Sequence, residues 1–136
     1  MSQRPAIQDC ISRYTDAVNR RDWTVFPTIF VANASWQAIG MDIAFDGLEA
    51  ITRGLSGIVD AMSLFVQMNT PAVIDIVGDR ATARSTIYEF GDNQAQGTRF
   101  EAYGRYEDEL VARDGRWMFT SRRFVRILRK EGPIEV

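Results

Sequence analysis

In the stretch "SRYTDAVNRRDW", residues 12–23, Tyr14 and Asn19 stand five residues apart. On a helix facing a pocket, the phenol can donate a hydrogen bond to an oxygen that gains charge, and the amide can hold a carbonyl. Moving a proton is the harder requirement, because the chain contains no histidine. The charged candidates come from strand alternation. Along "AYGRYEDEL" it sends Gly104, Tyr106, Asp108 and Leu110 to one face and Arg105, Glu107 and Glu109 to the other. The less charged face is expected to point inward. The same period on the last strand selects Met118, Thr120, Arg122 and Phe124.

Each candidate has two readings. Tyr14 is either a proton donor at the base of a pocket or a core tyrosine whose hydroxyl finds a local acceptor. Asn19 either binds a substrate carbonyl or caps the end of its helix. Asp108 and Arg122, on neighbouring strands, are either a satisfied ion pair beneath the helices or a working pair. In the working reading, apolar surroundings raise the pKa of Asp108 so that it serves as a base, while Arg122 holds an anionic or enolate oxygen. Trp23, Trp36, Phe65, Met68 and Phe124 would line a pocket for a flat hydrophobic ligand. Ser85, Tyr106 and Thr120 are further inward-facing substrate contacts, and Trp117 reads as plain core.

These residues need elements to position them. Ile7, Ile11, Tyr14 and Val18 recur at helical spacing and predict an amphipathic first helix with Tyr14 on its buried stripe. Asp22 is a plausible N-cap for a short second helix, "WTVFPTIF", which Pro27 should kink or shorten. "ASWQAIG" and the segment around Ile43 to Phe45 read as short strands. "DGLEAITRGLSGIVDAM" reads as a third helix, with Leu48, Ile51, Leu55 and Ile58 on one side. From residue 64 the pattern becomes long strands: "LFVQMNTPAVIDIV", a turn at "GDRA", "TARSTIYEFG", and a hairpin turning at Asp114-Gly115. Helices followed by an antiparallel meander predict an α+β domain, three amino-terminal helices packed on the concave face of a strongly curved, mostly antiparallel sheet. Tyr88, Phe90 and Phe119 are expected on the convex face, with Arg84 and Thr86.

Composition narrows the function. The 136 residues, 46% of them hydrophobic, suffice for one core, and one domain over 1–136 is expected, with loose tails at 1–6 and 130–136. A net charge of −2 with scattered basic residues argues against nucleic acid. No apolar run suits a signal peptide or a spanning helix, so a cytoplasmic protein without membrane contact is expected. One cysteine and no histidine leave no common zinc ligand set.

"AIQDCISRYTDAVNRRDW", "FDGLEAI", "IVGDRATARS" and "GRYEDELVARDGRWMFTSR" occur in an order and spacing, from Ile7 to Ile127, that resembles the SnoaL-like branch of the nuclear transport factor 2-like superfamily. The resemblance implies a bent sheet wrapped around a deep apolar pocket closed by three helices. It also implies a homodimer or homotrimer formed through the convex sheet face. Enzymes of that superfamily include polyketide cyclases, scytalone and bile-acid dehydratases, hexachlorocyclohexane dehydrochlorinase and ketosteroid isomerase; the small subunit of ring-hydroxylating dioxygenases is non-catalytic. The dehydratases and the dehydrochlorinase use an Asp that orients a basic His, and those positions match Asn19 and Phe65. Neither can do that work. In the ketosteroid isomerase pattern, Tyr14 matches the oxyanion donor, but the base and the protonated Asp fall near Ala38 and Gly104. The dehydrochlorinase also places a pocket arginine at Arg122.

The expectation is therefore a cofactor-free lyase or isomerase, of dehydratase, cyclase or ketosteroid-isomerase type, acting on a small hydrophobic, cyclic compound. Tyr14 would polarise oxygen, with Asp108 and Arg122 as its catalytic partners. The alternative is a non-catalytic binding protein or accessory subunit resembling the dioxygenase small subunit.

Overall fold

The computed structural model describes residues 3–135. Helix α1 (Arg4–Arg20) buries Ile7, Cys10, Ile11, Tyr14, Ala17 and Val18. It ends where Arg21 adopts a left-handed conformation, φ 55°, and the amides of Arg21 and Asp22 fold back onto the carbonyls of Val18 and Ala17. The end of the helix is thus closed at Arg21, not at Asn19. Asp22 caps the next segment as expected, its Oδ1 accepting from the Thr24 amide at 3.3 Å. That segment is a 3-10 turn (Trp23–Val25) and a single helical turn α2 (Phe26–Ile29), with Pro27 inside its first turn. At Phe30 the chain becomes extended.

Strands β1 (Phe30–Ile39) and β2 (Ile43–Asp46) form a hairpin, and helix α3 (Leu48–Asp60) follows. Glycine at 54 admits the Phe45 ring against α3, where a Cβ would clash with it. The remaining strands are β3 (Leu64–Asn69), β4 (Val73–Val77), β5 (Arg80–Asn93), β6 (Thr98–Arg113) and β7 (Arg116–Pro133). They form one curved, open seven-stranded sheet in the order β2-β1-β7-β6-β5-β3, with β4 also paired to β5. The α+β expectation holds: the helices lie against the inner face, where Ile7, Ile11, Phe26, Phe30, Ile51 and Phe119 make the driest core. No helix among the described residues is long and apolar enough to cross a membrane.

Four local expectations are corrected. The long strands do not all follow residue 64: β1 is ten residues long and runs parallel to β7, the one parallel pairing among the described residues. Register between strands so distant in sequence leaves no local pattern. "LFVQMNTPAVIDIV" is two strands, because Pro71 lacks a ladder donor and the chain steps at Thr70-Pro71-Ala72, so that β3 pairs with one half of β5 and β4 with the other. Of the expected loose tails, residues 4–6 belong to α1 and residues 130–133 to β7, while residues 1, 2 and 136 lie outside the described residues. Finally, Phe119 is in the core, fully buried, rather than on the convex face.

The reason for the Phe119 error is a β-bulge. Glu109 pairs with Ser121 and Leu110 with Phe119, so Thr120 is skipped and the alternation of β7 inverts there. Arg122 and Phe124 face inward as expected; before the bulge the inward residues are Trp117 and Phe119, not Met118 and Thr120. The hairpin turn itself lies at Asp114-Gly115, both with positive φ, 52° and 77°.

Candidate functional site

Between α1, α3 and the inner sheet face lies a cavity of about 400 Å³. Trp36, Leu55, Phe65, Phe100 and Phe124 make its wall apolar, and Tyr14, Tyr106, Gln67, Glu89, Arg126 and Arg129 bring polar groups to it. Two glycines give the aromatic rings room. A Cβ at position 104 would lie 2.6 Å from the Phe124 ring, and one at 91 would lie 2.5 Å from the Phe100 ring. Close packing of rings over glycine therefore shapes the chamber.

At one end, the Tyr14 and Tyr106 hydroxyls meet at 3.2 Å, both residues 1% exposed. Arg122 lies across both phenol rings, its guanidinium carbon 4.3 Å from the Tyr14 centroid and 3.7 Å from that of Tyr106. Burial raises both phenols above the ordinary tyrosine value, against the opposing pull of Arg122. They are therefore neutral hydrogen-bond donors at physiological pH.

Arg122 itself is held by Asp108 through a bidentate pair, Nε to Oδ1 at 2.7 Å and Nη2 to Oδ2 at 3.1 Å. Neither side chain is exposed at all, and neither lines the cavity. Burial pushes the Asp108 carboxyl above the usual carboxylate range and Arg122 opposes it. With both oxygens occupied and no path to the chamber, Asp108 is placed as the buried half of an ion pair and not as a base. Arg122 touches the chamber's tyrosines only through the ring faces it stacks on.

The carboxylate that does face the chamber is Glu89, which sequence reasoning missed. It extends the inward run Ala81, Ala83, Ser85, Ile87 along β5, and alternation counted from Ser85 leads to it directly. Glu89 Oε2 accepts from Gln67 Nε2 at 3.0 Å across the β3–β5 ladder. Burial raises its pKa, while Gln67 and the charge of Arg129 pull it back. An acid in such a setting exchanges protons nearer neutrality than a surface glutamate. Glu89 also acts electrostatically on both Tyr14 and Tyr106, so carboxylate and phenols share one field.

Of the other expected site residues, Trp36, Phe65, Tyr106 and Phe124 line the cavity with Tyr14. Asn19, Trp23, Met68, Ser85 and Thr120 do not. Asn19 is a strut: its Nδ2 donates to the Gln67 carbonyl at 2.9 Å and its Oδ1 accepts the Gln67 amide at 2.7 Å, tying α1 to β3. That bond fixes the residue whose side chain holds Glu89. Trp23 packs edge-on against Phe26 outside the chamber. Met68 is 59% exposed, because β3 alternates and Phe65 and Gln67 already take the inner face. Ser85 is buried and inward but away from the cavity. Thr120 is displaced by the bulge, its hydroxyl donating to the Glu109 carbonyl. Cys10 offers no nucleophile, since burial pushes its thiol up to about 12.

Residues 1–123 match the model of the SnoaL-like domain. Among solved structures, a type 2 hexachlorocyclohexane dehydrochlorinase superposes with a TM-score of 0.86 at 20% identity, covering 98% of this chain and 89% of that one. A candidate scytalone dehydratase from Novosphingobium aromaticivorans DSM 12444 gives 0.84 at 20% identity, covering 96% and 88%. A nuclear transport factor 2-like superfamily protein from Salmonella enterica serovar Typhimurium gives 0.83 at 16% identity, covering 92% and 91%. No curated protein sequence matches the chain significantly.

Proposed function

The chain belongs to the SnoaL-like domain family, and on that premise we propose that it is a cofactor-free lyase or isomerase for a small hydrophobic carbonyl or hydroxyl compound. Glu89 is the proton-transfer group. The Tyr14–Tyr106 hydroxyl pair receives the substrate oxygen that gains negative charge. The observation that carries this reading is the Glu89 carboxylate on an apolar wall, with one oxygen bound to Gln67 and a pKa raised by burial. The reading also draws on solved structures of the same fold, which include a dehydrochlorinase and a candidate dehydratase.

The chemistry follows from the two ends of the chamber. Abstraction of a proton next to a carbonyl by Glu89 leaves an enolate, whose oxygen the buried phenols stabilise by hydrogen bonding. Returning the proton to a different carbon is an isomerisation; expelling a β-hydroxyl or halide is an elimination. Arg122 stacked on the phenols opposes the rise in their pKa and so improves them as donors.

The test is proton exchange. Wild type in deuterated buffer, given a panel of cyclic ketones, should incorporate deuterium at the carbon next to the carbonyl, as read by mass spectrometry. The E89Q variant should lose about 10²–10⁴-fold of that rate. Exchange undiminished by E89Q would reject Glu89 as the proton carrier. A second reading, binding without turnover, is favoured by the phenyl ring of Phe65 on the cavity wall and the absence of histidine. Tight binding of the same ketones with no exchange would establish it.

We also propose self-association through the outer sheet face. Met68, Tyr88, Tyr103 and Leu128 stand at one register across β3, β5, β6 and β7, and Met68, Tyr103 and Leu128 are 59%, 41% and 46% exposed. An apolar row of this kind is usually covered. Light scattering should show an oligomer that Y103E/L128E converts to a monomer; a wild-type monomer would refute the proposal.

A further inference from the structure

Strand alternation alone sends Arg126 and Arg129 to opposite faces of β7. A second bulge brings them together. Tyr103 pairs with Leu128 and Gly104 with Arg126, which leaves Ile127 unpaired. Both arginines consequently line the cavity that contains Glu89, and both are exposed to solvent. They mark where the apolar chamber opens.

The two are not equally occupied. Arg129 lies over the Phe100 ring, 4.7 Å from its centroid, and its Nη1 donates to Glu131 Oε2 at 2.7 Å. The Arg126 side chain has no hydrogen bond, ion pair or ring contact among the described residues. An apolar chamber with an uncommitted guanidinium at its opening is complementary to a molecule with a hydrophobic body and one planar anionic group. Charge also sets the direction of entry. A carboxylate pushed in among the aromatic rings would lose its hydration, whereas the exposed rim keeps it wet, so the apolar end goes in first and the anion stays at the rim.

We infer that the natural ligand of this cavity is an amphipathic carboxylate, its ring system seated among Trp36, Phe65, Phe100 and Phe124 and its carboxylate held at the opening by Arg126, with Arg129 beside it. This rests on the reading of the cavity as the substrate site and narrows that reading to a substrate class. The carboxylate is a handle and takes no part in the chemistry. Binding energy at the rim fixes how deep the body sits, and hence which carbon lies between Glu89 and the phenol pair.

Calorimetric titration with 2-naphthoate and with the nearly isosteric, uncharged 2-naphthamide separates the parts of the argument. At neutral pH and low salt, wild type should bind naphthoate about tenfold or more tightly than naphthamide, the size expected of one charge-assisted hydrogen bond. Added salt should shrink the preference because the rim is exposed. R126Q should lower naphthoate affinity to that of the amide, and R126E should make the amide the better ligand. Equal affinities in wild type, or a preference that survives R126Q, would overturn the inference while leaving the cavity as a binding site. If neither compound bound, the reading of the cavity as a substrate site would fall with it.

Discussion

Two carboxylates, Asp108 on β6 and Glu89 on β5, face the same side of one sheet, both above the ordinary carboxylate pKa because of burial. One is saturated and the other is not. Asp108 receives two bonds from an arginine and has no opening to the chamber; Glu89 receives one bond from a neutral amide and lines it. Perturbed acidity alone therefore does not separate a structural acid from a reactive one. Free lone pairs and access to a ligand do, and by those criteria Glu89, not Asp108, is the proton carrier we propose.

The sharpest way to break the contrast is to remove the anion at the saturated end. D108N leaves Arg122, whose side chain is not exposed at all, without a counter-charge. Breaking one half of a buried pair costs about 3–5 kcal/mol. Urea unfolding of D108N should show a loss of that order, and D108L/R122M should recover most of it because no charge is then stranded. If D108N were as stable as wild type, the ion pair would not be the support of this end of the sheet. E89Q, by contrast, strands nothing and should leave the fold intact.

The second prediction uses pH to compare the same two groups. A carboxyl whose folded pKa is raised favours its neutral form in the native state, so stability is highest below the ordinary carboxylate value and falls as pH rises through the raised one. Wild type and E89Q should thus be equally dependent on Asp108 at every pH, since both retain it. Their difference isolates Glu89. It should be smallest in acid and grow towards neutrality in favour of E89Q, as read from paired melts across that range. A constant difference would mean that Glu89 is not desolvated, and its standing as a tuned acid would be lost.

How much of this was legible in the sequence depends on how regular each strand is. Alternation on β6 placed Tyr106 and Asp108 inward correctly because no bulge intervenes between Gly104 and Glu109. On β7 the same rule placed Arg122 and Phe124 correctly and Thr120 and Phe119 wrongly, since one unpaired residue inverts the face and leaves no mark in composition. Met68 is apolar but out of phase: Gln67 shares the parity of Phe65, and on β3 the period outweighs hydrophobicity. Glu89 was missed for the converse reason. A charge in an apolar run reads as an outward residue until the run is counted from Ser85. The helical tyrosine was the most secure element, because Ile7, Ile11, Tyr14 and Val18 form one continuous stripe. The pairing of β1 with β7 and the strut from Asn19 to Gln67 join residues far apart in the chain, and neither has a local signature.

The smallest expected effect sharpens the other half of the comparison, the phenol pair. Y14F removes one hydroxyl and keeps the ring, so the stacking on Phe26 at 5.6 Å and the contact with Arg122 at 4.3 Å survive. What is lost is the bond to Tyr106, leaving a buried hydroxyl unpaired at a cost of about 1 kcal/mol. Y106F should cost a similar amount. The double change should cost less than the sum of the two, because removing both hydroxyls leaves none unpaired. Turnover behaves differently if the pair receives the substrate oxygen: each single change should slow exchange without weakening ketone binding in proportion, and the double change should slow it further. Stability that recovers in Y14F/Y106F while exchange continues to fall would assign the pair to catalysis. Stability and exchange recovering together would reduce it to packing, with Glu89 working without an oxyanion donor from these residues.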